Sequence, residues 1–301
     1  MGKLLWMCFS HVVILDEVMR QQGSQNDTFI HLLAHLRLGE CTDADFNLLN
    51  SRLLQNQPRG DYISQWATAP IIVSDNATKD AINAQAAIAF SRNSGQSLHW
   101  YYCTDKYRGK PISDPALDQH LAGLHSGQTA HHLGCIPLAL SMPIMVAQNF
   151  DVSGGIVNGS IGTLTSIRFA TNNLSGHRKL ISCTVRIPDC SAPQMSCLTD
   201  NEFPILEDTV DLMFTHPHSQ KRITIKCTQL PIQPAFALTA HKSQGQTFDR
   251  VVVDLESCPG TEPPYVMLSR VTSLNGVIIL RPFSKNKIHS RQSEDVWKEF
   301  R

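Results

Sequence analysis

The sequence predicts an α/β domain interrupted by a small antiparallel β-barrel, and three observations lead there. The apolar run Ile71-Ile72-Val73 passes directly into an Ala-rich segment of good helix propensity at 76–90, a strand followed by a helix. From about Gly134, β-branched residues and Gly/Asn turns predominate. Alternation of strand and helix signals then returns at 236–239, 250–255, 264–271 and 277–280. The expected layout is residues 1–133 as the first part of the α/β domain, 134–232 as the inserted barrel and 233–301 as the remainder.

Each element has a local cause. Phe29, Ile30, Leu32, Leu33 and Leu36 recur at helical spacing behind the polar caps Asn26 and Asp27, and Gly39 stops that helix. Thr42-Asp43-Ala44-Asp45 is a capping start for a second helix through Phe46, Leu48, Leu49, Leu53 and Leu54, so the pair forms a helical hairpin. A strand is expected at 99–102, followed by barrel strands at 144–150, 162–169, 180–187, 209–214 and 222–230. A charged helix is expected near 294–300.

Composition excludes several classes. The 301 residues are 42% hydrophobic, enough for a real core, and neither disorder nor a collagenous chain is indicated. Lys plus Arg (26) balances Asp plus Glu (26), so no whole-molecule field draws in nucleic acid or an anionic membrane. The balance is uneven along the chain: residues 212–291 hold ten basic and four acidic side chains, a segment suited to phosphate. Nine cysteines without a Cys-x-x-Cys pair fit a reducing intracellular compartment. The longest apolar stretch, 134–147, is broken by two prolines and shorter than the roughly 20 residues of a spanning helix, so no membrane partner is expected.

Four segments bear on chemistry. After the strand at 236–239 comes Thr239-Ala240-His241-Lys242-Ser243-Gln244-Gly245-Gln246, which packs an imidazole, an ammonium, a hydroxyl and two carboxamides into six residues. Such a loop suits phosphates and sugars, although short polar turns are also common. Tyr265-Val266-Met267-Leu268-Ser269-Arg270-Val271-Thr272-Ser273 ends an apolar helix in Arg270, either a boundary residue or a charged fork aimed at phosphate. The third segment is Leu15-Asp16-Glu17-Val18-Met19-Arg20-Gln21. The fourth, Gly154-Gly155-Ile156-Val157-Asn158-Gly159-Ser160-Ile161-Gly162, is dense in glycine and permits tight turns.

In this order and at these separations, the four segments resemble the second half of a PIF-type, RecD-related DNA helicase of superfamily one, and the resemblance covers nearly the whole chain. Residues 239–246 look like the family's motif V, 265–273 like motif VI and 13–21 like motif IV, while 143–162 resembles the entry into the inserted barrel. The resemblance implies a RecA-like domain of P-loop-NTPase type, the second of two that hold ATP between them. It implies that Arg20 and Arg270 reach the γ-phosphate, where a bidentate, permanently charged donor suits charge spread over three oxygens. It also implies that His241, Lys242, Ser243 and Gln244 contact the DNA backbone, that Gly245 and Gln246 lie nearer the nucleotide, and that Asn158 and Gly159 sit in the barrel turn bracing the strand. The implied cofactors of a complete helicase are ATP and Mg²⁺, and the implied partner is single-stranded DNA, travelled 5′ to 3′. DNA repair, recombination or telomere maintenance, in the nucleus or a mitochondrion, follows by family.

One family feature is not found. A P-loop needs Gly-x-x-x-x-Gly-Lys followed by Ser or Thr, and the only Gly-Lys pairs here are Gly2-Lys3, followed by Leu4, and Gly109-Lys110, followed by Pro111. Val12-Val13-Ile14-Leu15-Asp16-Glu17 has the outline of a Walker B strand, but it runs straight into the motif IV residues and is read as a surface segment before a helix. The expectation is a chain without its own ATPase cradle, which binds no nucleotide tightly alone and depends on an N-terminal RecA-like domain in cis or in trans. The alternative is a non-catalytic single-strand-binding remnant of a degenerate or mobile-element helicase. No metal site is expected: Cys183, Cys190 and Cys197 recur every seven residues in strand-like sequence and so alternate faces, and His31 and His35 lack an intervening Glu. Of Trp100, Tyr101 and Tyr102, at least two are expected to pack into the core.

Overall fold

The computed structural model describes residues 8–11, 13, 17–112, 114–172, 176–188, 190–216, 221–260 and 262–289. The chain opens with helices α1 (Asp27–Leu38) and α2 (Asp43–Asn50). Gly39, at φ 72°, adopts the left-handed conformation that closes α1, which glycine does without Cβ strain. Thr42 and Asp45 form a reciprocal capping box at the start of α2. The expected hairpin is therefore present, but α2 stops short of Leu53 and Leu54. The backbone there is drawn onto a sheet edge instead: Ile279 N–H donates to Arg52 O at 2.9 Å, and Leu53 bridges Ile279.

That sheet is wholly parallel and is built from β1 (Ile71–Val73), β13 (Ala237–Thr239), β14 (Val251–Val253) and β15 (Val277–Ile279), in the order β13-β1-β14-β15. Its strands are continuous apolar runs because a parallel sheet is covered on both faces. Phe29, Leu32, Leu36 and Leu49 of the hairpin, and Met267 and Leu268 of α6 (Glu262–Leu268), share one core with Val251, Val253 and Ile279. Each fully buried Leu there contributes about 1.5–3 kcal/mol. Helix α3 (Asn76–Ser94) follows β1, and its Asn83 amide exchanges hydrogen bonds with the Ala237 backbone at 2.7 and 3.1 Å.

The inserted strands form two further sheets. The larger contains β2 (His99–Tyr102), β5 (Cys135–Leu138), β6 (Pro143–Val146), β7 (Ile161–Thr171), β8 (Arg178–Arg186), β9 (Glu202–Leu206) and β12 (Ile232–Pro234), in the order β12-β6-β7-β8-β2-β5 with β9 paired to β8. The smaller contains β3 (Thr104–Tyr107), β4 (Lys110–Pro111), β10 (Asp208–Thr215) and β11 (Arg222–Gln229), in the order β10-β11-β3-β4. Together they make the barrel-like part of the mixed α/β fold, and α4 (Pro115–Ala122) packs Leu117 and Leu121 on the smaller sheet. The expected boundary at 133/134 does not coincide with sheet membership, because β2 and β3 precede it yet pair with inserted strands, and β4 joins the same sheet through β3.

Four expected barrel strands lie within a few residues of the observed ones, whereas the strand at 144–150 ends at Val146. Strands β3, β4, β5, β9 and β12 are additions. β9 contains Pro204, which breaks a strand pattern but is tolerated because β9 has a partner on one side only. The helix expected near 294–300 lies outside the described residues, as do Leu15 and Asp16; Glu17 is exposed. Among the described residues, no helix is long and apolar enough to cross a membrane.

Candidate functional site

The site grows from the carboxyl end of β13, where open parallel sheets present their loops. Thr239 ends the strand and accepts the Lys242 N–H at 3.4 Å, capping the single turn α5 (Ala240–Ser243). Gly245, at φ 86° with open space where a Cβ would stand, then lets the chain leave the turn. His241 and Gln244 are exposed on this loop. Ser243 differs from its expected contact role: it is 0% exposed and its hydroxyl donates to Ala240 O at 2.8 Å, so it stabilises the turn from beneath.

The barrel turn is fastened to this loop. Lys242 Nζ donates to Asn158 Oδ1, and Gln246 Nε2 donates to Gly159 O at 3.3 Å and to Lys242 O at 3.1 Å. Asn158 is itself held by its backbone N–H, which donates to Asn149 Oδ1 at 2.8 Å. Gln246 thus faces the barrel turn of Asn158 and Gly159.

A buried polar layer underlies Lys242. Lys79, 1% exposed, donates to Ser126 Oγ at 2.9 Å and Gln233 Oε1 at 2.6 Å and pairs with Asp80 at 3.0 Å. Burial lowers the Lys79 pKa against the opposing pull of Asp80. Burial, and then the charge of Lys79, lower that of Lys242. Burial, then Lys242 and Lys79, also hold the His131 imidazole below its ordinary value. This local surplus of positive charge favours an anion above the loop.

Further along the loop, at Thr247 and Phe248, the two arginines come together. Arg20 Nε donates to Thr247 Oγ1 at 3.0 Å and its Nη1 to Ser269 O at 2.7 Å, while Arg270 Nη2 donates to Ser269 Oγ at 2.8 Å and its Nε to Val266 O at 2.9 Å. Phe248 N–H donates to Arg270 O at 3.0 Å, tying the loop to the end of α6. Gln21, buried, anchors the Arg20 segment through Val271 O at 2.6 Å. Burial first, and then the charge of Arg20, lower the Arg270 pKa, but a guanidinium stays charged. Two adjacent, partly exposed cations are suited to a polyanion.

Sequence reasoning missed Lys79, Asp80, Ser126 and Gln233, which come from segments that carry no motif of their own, and gave no role to Gln21 within 13–21 or to Thr247 just past 239–246. The aromatic trio divides: Tyr101 is buried, Tyr102 stacks on His177 with ring centroids 4.0 Å apart, and Trp100 is 40% exposed. His35 bonds Asp45 at 2.8 Å, the structural role expected of it.

No family model matches this chain. The ATP-dependent DNA helicase PIF1 of Xenopus laevis is 27% identical to it over 281 residues, 93% of this chain and 36% of that protein. The PIF1 helicase of Rattus norvegicus is 27% identical over 274 residues, 91% of this chain and 36% of the relative. The chain thus spans about a third of the length of the curated relatives it matches. Among solved structures, the Pif1 helicase from Candida albicans superposes with a TM-score of 0.66 at 20% identity, covering 94% of this chain and 59% of that one. A Bacteroides Pif1 bound to single-stranded DNA superposes with a TM-score of 0.63 at 21% identity, covering 96% and 56%. Over nearly its whole length, then, the chain matches part of a PIF-type helicase of superfamily one and shares its RecA-like α/β fold.

Proposed function

We propose that this chain is the second motor domain of an ATP-dependent, 5′-to-3′ DNA helicase, working on single-stranded DNA in genome maintenance in the nucleus or a mitochondrion. Residues 241–244 and the turn at Asn158 and Gly159 grip the strand backbone, and Arg20 and Arg270 reach the γ-phosphate of ATP. The P-loop, the Mg²⁺ ligands and the catalytic carboxylate belong to a first RecA-like domain supplied in cis or in trans. ATP with Mg²⁺ supplies the free energy of phosphoryl transfer; this chain's arginines stabilise the developing charge on the phosphoryl oxygens.

The observation that carries the reading is one short loop with a different partner at each end. Lys242 and Gln246 hold the barrel turn, and Thr247 and Phe248 are tied to Arg20 and Arg270. A movement of the arginines on hydrolysis is thereby coupled to the strand grip through a handful of covalent bonds. The Pif1 relatives whose crystals hold single-stranded DNA, or ADP-AlF3 with single-stranded DNA, support the choice of ligands.

The test is equilibrium binding of a fluorescent oligothymidylate and of a duplex of equal length to the 301-residue chain across a salt series. Preference for the single strand is expected, with log affinity falling linearly with log salt at roughly −0.7 per phosphate neutralised. Equal binding of the duplex, or none of either, overturns the strand-gripping role.

A further inference from the structure

Away from the motor site, strands β3 and β11 bring three potential metal ligands to one point. Cys227 stands directly opposite Asp105 in the antiparallel register, and Cys103, two residues before Asp105, points to the same face. Their ligand atoms all lie within 4.8 Å of one another. Tyr107 and Ile225 continue that face and pack beneath Leu117 and Leu121, so α4 covers it. Cys103 Sγ donates to Asp105 Oδ2 at 3.1 Å, while Asp105 Oδ1 is buried with no hydrogen-bond partner. A buried carboxylate oxygen left unpaired costs about 1–3 kcal/mol or more, which calls for an explanation.

We propose that Cys103, Asp105 and Cys227 form a site for a thiophilic divalent cation, zinc foremost, with the fourth position open to water. Tetrahedral zinc with two thiolates and a carboxylate sets its ligand atoms roughly 3.6–3.8 Å apart, so the cluster needs only small side-chain rotations to close on it. Two thiolates select a soft ion over magnesium or calcium. The hydrogen bond with Cys227, then burial, push the Cys103 thiol up, and burial raises the Asp105 carboxyl.

A disulfide is the competing outcome, and the register argues against it. Cys103 is the diagonal neighbour of Cys227, and diagonal positions are about 7–8 Å apart at Cα, beyond the usual reach of a disulfide. Bound metal would staple the hairpin of β3 and β4 to β11 beneath α4. This inference does not depend on the proposed motor role.

The test is a titration of the reduced 301-residue chain, stripped with a chelator, with Co²⁺ and then Zn²⁺. One equivalent of Co²⁺ with a thiolate-to-metal charge-transfer band is expected, displaced by stoichiometric Zn²⁺. Cys103→Ser and Cys227→Ser each abolish the band, and Asp105→Asn weakens Zn²⁺ at least tenfold in competition with a chromophoric chelator. No band in the wild-type chain overturns the proposal without recourse to variants. A band that survives in the folded double serine variant also overturns it, by assigning the metal to other cysteines. Mass spectrometry showing a Cys103–Cys227 disulfide under the same reducing conditions would do so as well.

Discussion

Lys242 reaches across to Asn158, joining a loop of the parallel sheet to a turn of the inserted barrel 84 positions earlier in the chain. The ammonium is held by a neutral acceptor, and among the described residues no carboxylate pairs with it, so its charge is not neutralised while its position is fixed. Positioning without neutralisation is the useful combination for a strand contact.

From this follows a pair of substitutions with different signatures. If Lys242 makes the proposed phosphate contact, Lys242→Ala is expected to flatten the salt dependence of single-strand binding by about 0.7. Asn158→Ala leaves the charge but frees the side chain, and is expected to weaken binding roughly fivefold, the worth of one hydrogen bond of ~1 kcal/mol, with the salt slope unchanged. Anisotropy titrations at four salt concentrations separate the two; identical slopes for both variants would contradict the assignment.

Arg270 shares Ser269 with Arg20, one arginine on its hydroxyl and the other on its carbonyl. In a protein that joins this chain to a P-loop domain, Arg270→Ala is expected to lower ATP hydrolysis by about 10³–10⁵, the range for arginine fingers. Single-strand affinity should stay within about twofold, because the arginines stand at the far end of the loop from Lys242. Steady-state phosphate release and strand binding measured on the same sample check both halves, and an unchanged hydrolysis rate would remove the arginine from the reaction.

Asp254 and Arg281 form a fork in which both carboxylate oxygens accept at 2.9 Å, yet Asp254 is 2% exposed and the Arg281 side chain 53%. The two truncations should therefore be unequal. Arg281→Ala strands a buried carboxylate and is expected to cost about 3 kcal/mol, whereas Asp254→Ala frees a guanidinium that rehydrates, costing nearer 1–2 kcal/mol. Urea denaturation gives both values, and the reverse order would show that Asp254 is solvated in the folded chain.

Burial pulls the Asp45 carboxyl up, but hydrogen bonds from the backbone and side chain of Thr42, followed by that from His35, outweigh it and leave the pKa lowered. A depressed folded pKa means stability that is present above the unfolded value of about 3.9 and lost as pH falls through the lower folded value. Urea midpoints measured between about pH 5 and pH 2.5 should fall more steeply for the wild type than for Asp45→Asn. Parallel curves would place no stabilising charge on the capping box.

The sequence by itself determined the elements whose causes are local. Thr42 and Asp45 cap α2, Gly39 ends α1, and the apolar run at Ile71 followed by alanines makes strand then helix, because each of these acts within one or two turns. It also brought out the loop at residues 239–246, since so dense a polar string after a buried strand is visible without coordinates. Only the tertiary structure decided what depends on pairing between distant segments. It took β2 to β4 into the barrel sheets, ended α2 where Arg52 meets Ile279, and admitted Pro204 to a strand edge. It also turned Ser243 inward and seated Lys79 under Lys242, and neither local composition nor periodicity encodes which face of a one-turn helix will be buried. Cys103 and Cys227 meet for the same reason: strand register, set by the packing of whole sheets, makes neighbours of residues whose spacing in the chain carries no signal.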